Sequence, residues 1–85
     1  MVERKIKELL VRVLHLDVDP SEIGDHELLF DGLGLDSLAA LKLVAGIEEE
    51  FGIRVEDEEL TVELFESVAS LSEFVRRKLG TGGTV

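Results

Sequence analysis

Apolar residues recur at helical spacing in three segments of the chain. The first segment covers residues 2–15, the second covers residues 37–51, and the third starts near Ser67 and ends before Gly80. In the first segment, the apolar residues set between charged ones are Val2, Ile6, Leu9, Leu10 and Val13. This spacing predicts amphipathic helices. Since no segment is convincing as a strand, the pattern predicts a small all-α bundle.

Residues that favour helix ends flank the second segment. For the third segment, the sequence allows two different helix starts. Asp36 can accept a hydrogen bond from an N–H of the first turn, and Gly52 is suited to end the helix. For the last helix, a start near Ser67 competes with a capping box formed by Ser70 and Glu73. The second helix is therefore the better defined of the two.

The connections are predicted to hold only short helical elements. The stretch 16–36 is a long loop in which Asp19 and Pro20 can start at most one turn of helix, because Gly24 follows closely. Residues 56–66 suggest a short helix or two turns, with Thr61 as a possible cap. We therefore expect a four-helix bundle of three main helices and a short third helix. Residues 1–79 would form the domain, and residues 80–85 a disordered tail.

The second helix carries two apolar stripes, although packing into a small bundle requires only one. At about 100° per residue, one stripe is suited to face the core; it contains Ala40, Leu43, Val44, Ile47 and Phe51. A second stripe lies on a different side of the helix; it contains Leu38, Leu41 and Ala45, alongside Glu48 and Glu49. An additional apolar stripe next to acids suggests a docking surface for another protein.

Composition narrows the classes of partner. Nineteen acidic and nine basic residues give a net charge of −10, which argues against nucleic acid and anionic membrane as partners. All the acids except Glu3 and Glu8 lie between Leu16 and Val75, where the basic residues are Lys42 and Arg54. This acidic middle is suited to basic partner surfaces, although simple solubility would also explain it.

Several classes of protein are not expected. The chain has no cysteine, so it offers neither a disulfide framework nor a thiolate metal site. Its N-terminus lacks the apolar run of a signal peptide, and no stretch is long enough to span a membrane. Eighty-five residues form one domain with a small core and little room for a deep active-site cleft. We expect a soluble, cytoplasmic monomer.

Ser37 is the residue with the most distinctive position. It falls in the first turn of the second helix, at the N-terminal edge of the stripe that contains Leu38. Its hydroxyl is therefore expected to be exposed, at a helix end whose partial positive charge favours a phosphodiester. An ordinary exposed serine would occupy the same position, so the residue alone does not decide its role.

The sequence around Ser37 resembles the acyl carrier protein family. The matching residues are Leu33-Gly-Leu-Asp-Ser-Leu38, then Leu43-Val44 and Glu48-Glu-Glu-Phe-Gly52, with Asp57-Glu-Glu-Leu60 and Ser67-Val68 further on. The similarity extends over roughly residues 3–79. The Asp-Ser-Leu tripeptide is weak evidence by itself. Its position after Gly-Leu and before a helix with acidic residues, in a chain of this length, makes the resemblance to this family strong.

The resemblance implies a carrier rather than an enzyme. Ser37 matches the serine that receives phosphopantetheine, which a holo-synthase transfers from coenzyme A with a magnesium ion that belongs to the synthase. Asp36 and Leu38 match recognition residues that flank this serine. The remaining docking positions are Leu41, Lys42, Ala45, Glu48 and Glu49, which would meet acyl-loading and acyl-using enzymes with basic surfaces.

Two positions depart from the family pattern. Lys42 and Ala39 stand where carriers of fatty-acid synthesis usually have acids, which argues against docking on the usual fatty-acid enzymes. The resemblance thus implies a carrier for fatty-acid, polyketide or specialised lipid synthesis, with a peptidyl or aminoacyl carrier as the alternative. Longer acyl chains are expected to withdraw among Val44, Ile47 and Phe51, since burial of a methylene is favourable by about 0.8 kcal/mol.

Three other functions remain to be weighed. Ser37 could be a catalytic nucleophile only with His15 or His26 as the base, and no nucleophile elbow or oxyanion hole is evident. The acidic clusters invite a calcium site, but the ligand order of an EF-hand loop is absent. The third alternative is an acidic interaction domain of the same fold without a prosthetic group. We therefore predict no catalytic and no metal-ligating residues.

Overall fold

Four α-helices and two 3₁₀ turns make up the protein. The computed structural model describes residues 2–83, with side chains described as far as residue 80. The helices are α1 (Val2–Leu14), α2 (Leu29–Gly32), α3 (Ser37–Phe51) and α4 (Val68–Gly83), and the 3₁₀ turns are Pro20–Glu22 and Asp57–Glu59. No strand occurs among the described residues. The predicted all-α, four-helix architecture is confirmed.

Helix α1 packs between the two other long helices. Its residues Ile6, Leu9 and Leu10 are buried, and contacts to α3 and α4 cover it on two sides. Lys5 forms an ion pair with Glu50 near the end of α3, and Glu3 forms one with Arg76 in α4. Since the Lys5–Glu50 pair joins the start of α1 to the last turn of α3, α1 runs antiparallel to α3.

The core is continuous through all four helices and the loops between them. Its fully buried members come from each helix and share side chains that are almost wholly apolar; the largest are Ile6, Leu10, Leu29, Leu43, Leu71, Val68 and Val75. One polar exception is Ser72 in α4, which is 0 % exposed and whose hydroxyl has no hydrogen-bond partner among the described residues. The helices are thus held mainly by apolar burial.

The loop between α1 and α3 contains one helix that the sequence pattern does not reveal. Asp19 caps the 3₁₀ turn Pro20–Glu22 as predicted, accepting a hydrogen bond from the Ser21 N–H. Helix α2 follows, but its four residues are too few to show helical periodicity. Two backbone hydrogen bonds fasten this loop to the region where α4 begins: Leu29 donates to the carbonyl of Glu66, which precedes the helix, and Ala69 in its first turn donates to the Asp25 carbonyl.

The segment 56–66 forms a 3₁₀ turn followed by further turns. Thr61 accepts a hydrogen bond from the Leu64 N–H at 3.2 Å, so its predicted capping role is confirmed. The start of α4 is also settled: Ser67 and Ser70 each donate a backbone N–H to the other's hydroxyl. This reciprocal pair places the cap at Ser67 and not at Ser70.

The predicted end of the last helix is wrong. Helix α4 continues to Gly83, past the end expected before Gly80. Extending an existing helix adds one backbone hydrogen bond per residue and needs no new nucleus, so the weak helix propensity of glycine does not stop it at the first glycine. The division into a domain over 1–79 and a disordered tail over 80–85 stays a prediction, and residues 84–85 lie outside the described residues.

Candidate functional site

Ser37 is the first residue of α3, and Asp36 holds the helix start in place. The Asp36 backbone is extended (φ −128°), and its side chain accepts a hydrogen bond from the Ala39 N–H at 2.8 Å. The Asp36 carbonyl accepts from the Ala40 N–H, also at 2.8 Å. The predicted cap is therefore confirmed, and it fixes the backbone on which the Ser37 hydroxyl is presented.

The surroundings of Ser37 fit a bulky anionic group on its oxygen. Its side chain is exposed, so an attached group displaces nothing in the core. At this end of a 15-residue helix, the N–H groups of Ser37 and Leu38 have no carbonyl partner within the helix, since an α-helical N–H bonds four residues back. These N–H groups and the helix dipole both favour a phosphodiester at this point.

The two predicted faces of α3 are present in the structure. On the inner face Leu43 is 0 % and Ile47 2 % exposed, whereas on the outer face Leu38 is 64 % and Leu41 59 % exposed. Ala45, Lys42 and Glu49 share this exposure. We call the residues Leu38, Leu41, Lys42, Ala45 and Glu49 the outer face of α3. They lie where the sequence predicted a docking surface.

Ala39 belongs to neither the outer face nor a charged surface. It is 9 % exposed and packs in the core cluster. Ala39 thus lies in the core at the start of α3, and its effect on docking stays a prediction. Among the inner-face residues, Val44 and Phe51 are only partly buried, although both pack against the core.

Glu48 has a structural contact that the sequence analysis missed. Its side chain is half-buried, and it accepts a hydrogen bond from the Val55 N–H at 2.8 Å. The bond ties the segment after α3 back onto the helix. Seven residues separate the partners, and no local sequence pattern indicates such a contact. A docking role for Glu48 stays a prediction.

Lys42 differs from most of the basic residues in having no acidic partner. Six of the nine basic residues form ion pairs within 4.0 Å. Among the described side chains, no carboxylate lies within that distance of Lys42. Its neighbours one turn away on α3 are Leu38, Ala39, Ala45 and Gly46, which are all uncharged. Lys42 is thus an isolated positive charge on the outer face.

The histidines and acidic clusters do not assemble a second kind of site in the described part of the chain. His15 follows α1 with a left-handed backbone (φ 54°), and His26 is exposed in the loop. Neither forms a hydrogen bond with Ser37 among the described side chains. Over the same residues, no group of three or more potential ligands could hold a metal ion.

Two open cavities lie away from α3. One of about 680 Å³ lies between α4 and residues 59–66, and Leu64, Ser70 and Phe74 line it together with charged side chains. The other, of about 430 Å³, lies between α1, the Pro20–Glu22 turn and Arg76 of α4. Neither is lined by a residue of α3. Within residues 2–83, no helix is both long enough and apolar enough to cross a bilayer.

Comparison with known proteins identifies the family. Residues 4–75 match the family model described as a phosphopantetheine attachment site. The acyl carrier protein of Phenylobacterium zucineum is 32% identical over 79 residues, covering 93% of this chain and 95% of that protein. The acyl carrier protein of Thermotoga maritima is 36% identical over 76 residues, covering 89% of each chain. This chain belongs to the acyl carrier protein family.

Solved structures of this family share the fold. The solution structure of a holo acyl carrier protein from Nitrosomonas europaea has a TM-score of 0.82 at 29% identity, covering 92% of this chain and 95% of that one. A second similar chain comes from the crystal structure of an engineered Bradyrhizobium japonicum glycine:[carrier protein] ligase complexed with a carrier protein from Agrobacterium tumefaciens and ATP. Its TM-score is 0.78 at 30% identity, and 91% and 99% of the two chains are covered.

Membership of the acyl carrier protein family establishes the general role. The prosthetic group is covalently attached phosphopantetheine, and the protein is a carrier and not an enzyme. The sequence-based predictions of family, carrier function and prosthetic group are confirmed.

Proposed function

We propose that Ser37 carries the phosphopantetheine arm and that the outer face of α3 binds the enzymes that load and use it. The observation that carries this proposal is the position of Ser37: its exposed side chain stands on the first residue of α3, on a helix start held by Asp36. The Asp-Ser-Leu sequence at residues 36–38 supports the same assignment.

Attachment is a transfer of a phosphoryl-linked group from coenzyme A. The Ser37 oxygen forms a bond to the phosphorus that bears pantetheine, the pyrophosphate bond of coenzyme A breaks, and adenosine 3′,5′-bisphosphate leaves. The hydroxyl proton is released, and the magnesium ion that assists belongs to the holo-synthase. This chain contributes an accessible oxygen and a helix end whose N–H groups favour the new phosphodiester.

The thiol at the end of the arm then holds acyl groups as thioesters. The chain supplies the anchor and a small stable core, and the thioester chemistry takes place on partner enzymes. Because the arm originates at the edge of the outer face, a partner that covers Leu38, Leu41 and Ala45 receives the thioester close to its own surface. The acids of residues 16–75 favour partners with basic docking surfaces, in the cytoplasm where we place this carrier.

Two cargo classes follow from what is known of similar proteins. The acyl carrier protein relatives favour acyl groups of fatty-acid, polyketide or specialised lipid synthesis. The similarity to a carrier crystallised with a glycine:[carrier protein] ligase favours aminoacyl groups as the second candidate. Lys42, which makes the outer face less negative than an acid would, supports a specialised partner over the general fatty-acid enzymes.

Intact-mass measurement tests the proposal. Incubation with coenzyme A, magnesium and a holo-synthase should add one phosphopantetheinyl group, and fragmentation should place it on Ser37. The holo protein is then offered butyryl-coenzyme A with a malonyl/acyl transferase, or glycine and ATP with a glycine:[carrier protein] ligase. Failure to take up any phosphopantetheine would contradict the carrier assignment and leave an acidic interaction domain as the function.

A further inference from the structure

One aromatic side chain of this protein is exposed to solvent, and it lies in α2. The sequence contains four phenylalanines and no tryptophan or tyrosine. Phe65 and Phe74 are buried, and Phe51 packs against the core. Phe30, in contrast, is 42 % exposed. All four phenylalanines belong to the described part of the chain, so Phe30 is the aromatic ring that is available to a partner.

Hydrogen bonds hold Phe30 in a fixed position on the surface. Its neighbour Leu29 is fully buried and donates its N–H to the Glu66 carbonyl at 3.1 Å. The Leu29 carbonyl accepts the N–H groups of Leu33 and Leu35 at 3.2 and 2.9 Å. Helix α2 is thus tied both to the segment before α4 and to the residues that lead into α3. A side chain on such a fixed support loses less freedom on binding than one on a mobile loop.

Phe30 lies close to the attachment serine. The Leu35 N–H donates to the Leu29 carbonyl at 2.9 Å, and Phe30 follows that carbonyl directly. Leu35 precedes Ser37 by two residues, and two extended residues span at most about 7 Å. The backbone nitrogens of Phe30 and Ser37 are therefore at most roughly 12 Å apart.

An enzyme that acts on the Ser37 oxygen has to cover the surface around it. A specific interface buries about 800 Å² of each partner, which is a patch of roughly 16 Å in radius, and uses about 20–30 residues on each side. The outer face of α3 supplies only five residues, so neighbouring elements have to supply the rest. Because Phe30 lies within that radius of Ser37, a patch centred on Ser37 reaches Phe30.

We propose, on the basis of the proposed attachment at Ser37, that the holo-synthase binds Phe30 with an apolar part of its docking surface. Covering Phe30 removes apolar surface from water, and phenylalanine is among the residues enriched in protein interfaces. The synthase has to bring its active site to the Ser37 oxygen itself. An enzyme that loads or uses the arm instead meets the thiol at the far end. The synthase is therefore the partner whose position over Phe30 is fixed by the chemistry.

The kinetics of phosphopantetheine transfer to two Phe30 variants test this contact. Transfer from coenzyme A by a holo-synthase is followed by intact mass at varied carrier concentrations. Phe30→Ala should raise KM roughly tenfold. It should leave kcat unchanged, because Phe30 contributes binding and does not touch the reacting oxygen. Phe30→Leu keeps most of the apolar surface and should recover most of the lost affinity.

Leu79→Ala is the matched control. Leu79 in α4 has the same 42 % exposure as Phe30. An ion pair joins Arg76, three residues earlier in α4, to the start of α1, which lies beside the last turn of α3. Leu79 is therefore far from Ser37, and its truncation should leave KM unchanged. Circular dichroism and thermal melting verify that each variant folds. If Phe30→Ala does not fold, Phe30→Gln removes the ring and keeps a longer side chain for the same comparison.

The outcomes separate this contact from the proposed function. No uptake of phosphopantetheine by the unmodified protein would overturn the attachment at Ser37. Uptake with the same KM in folded Phe30→Ala would overturn only the contact with Phe30. Equal increases of KM in Phe30→Ala and Leu79→Ala would also contradict it, since any exposed apolar residue would then have the same effect. Normal transfer combined with slow loading of holo Phe30→Ala by a malonyl/acyl transferase would assign Phe30 to a loading enzyme and not to the synthase.

Discussion

The two faces of α3 have similar apolar residues and opposite surroundings. Leu43 on the inner face is fully buried, whereas Leu41, two positions earlier, is 59 % exposed. The inner face is packed against α1 and the core. The outer face makes no such contacts and leaves Lys42 without an acidic partner among the described residues.

The difference shows which residues the fold requires and which are available for another protein. Leucines at 64 % and 59 % exposure leave apolar surface in water that covering by a partner would remove. Nothing in the packing of the bundle requires apolar residues at Leu38 and Leu41, so we expect them to contact another protein.

Truncating one leucine on each face of α3 should give the largest difference in the free energy of unfolding. Leu43→Ala is expected to lower the free energy of unfolding by about 2–5 kcal/mol, because it leaves a cavity in the core. Leu41→Ala should change it by less than about 0.5 kcal/mol while slowing the transfer of phosphopantetheine by the holo-synthase. Urea unfolding and transfer rates measure the two effects. Equal losses of stability would contradict the division of α3 into an inner and an outer face.

Acid should weaken three ion pairs that join segments distant in sequence. Hydrogen bonds from Arg76, Lys7 and Lys78 lower the pKa of Glu3, Asp25 and Glu59 respectively. Since the folded pKa lies below the ordinary value of 4.5 for Glu and 3.8 for Asp, the stabilisation is complete above those values. It is lost as the pH falls through the lowered folded pKa. Unfolding experiments between neutral and acid pH should therefore show a loss of stability toward low pH.

Two lysine variants show whether pairing is the cause of that loss. Lys7→Met removes the partner of Asp25 and should make stability fall less steeply in acid. Lys42→Met removes a lysine without a described partner and should leave the slope unchanged. An identical slope in Lys7→Met and the unmodified protein would show that the Asp25 pair contributes nothing to the pH dependence.

Reversing the charge of Lys42 should change partner choice with little effect on stability. Lys42→Glu makes the outer face more acidic, and complementary charge acts mainly on the association rate. We expect turnover by general fatty-acid enzymes with basic surfaces to rise a few-fold, and the gain to shrink as salt is added. Arg12→Glu makes the same charge change on α1 and should have a smaller effect. Equal responses to the two variants would argue against Lys42 as a selectivity residue.

The sequence predicted those parts of the fold that depend on local signals. The Asp36 cap, the Gly52 end and the two stripes of α3 follow from residue types and helical spacing, and the structure confirms them. Helix α2 was missed because four residues show no periodicity. The Glu48–Val55 bond and the burial of Ala39 depend on how the segments pack in three dimensions, which local spacing does not describe.

The end of α4 illustrates a different limit of prediction from sequence. Glycine propensity predicted a stop before Gly80, but the helix continues to Gly83, because propensity is a weak indicator once a helix has been nucleated. The geometry of the candidate site was easier to predict from the sequence. Ser37, Asp36 and the outer face of α3 all belong to one helix or its cap, so their positions follow from where the helix starts and from its period.

The most direct test of the account is phosphopantetheine transfer to Ser37→Ala. The change is at an exposed first-turn position and should leave the fold intact, which circular dichroism and thermal melting can verify. Ser21→Ala, at another exposed serine, is the matched control. After incubation with coenzyme A and a holo-synthase, the Ser21 variant should gain the mass of one phosphopantetheinyl group, and the Ser37 variant should gain none. Incorporation into folded Ser37→Ala would contradict the central claim.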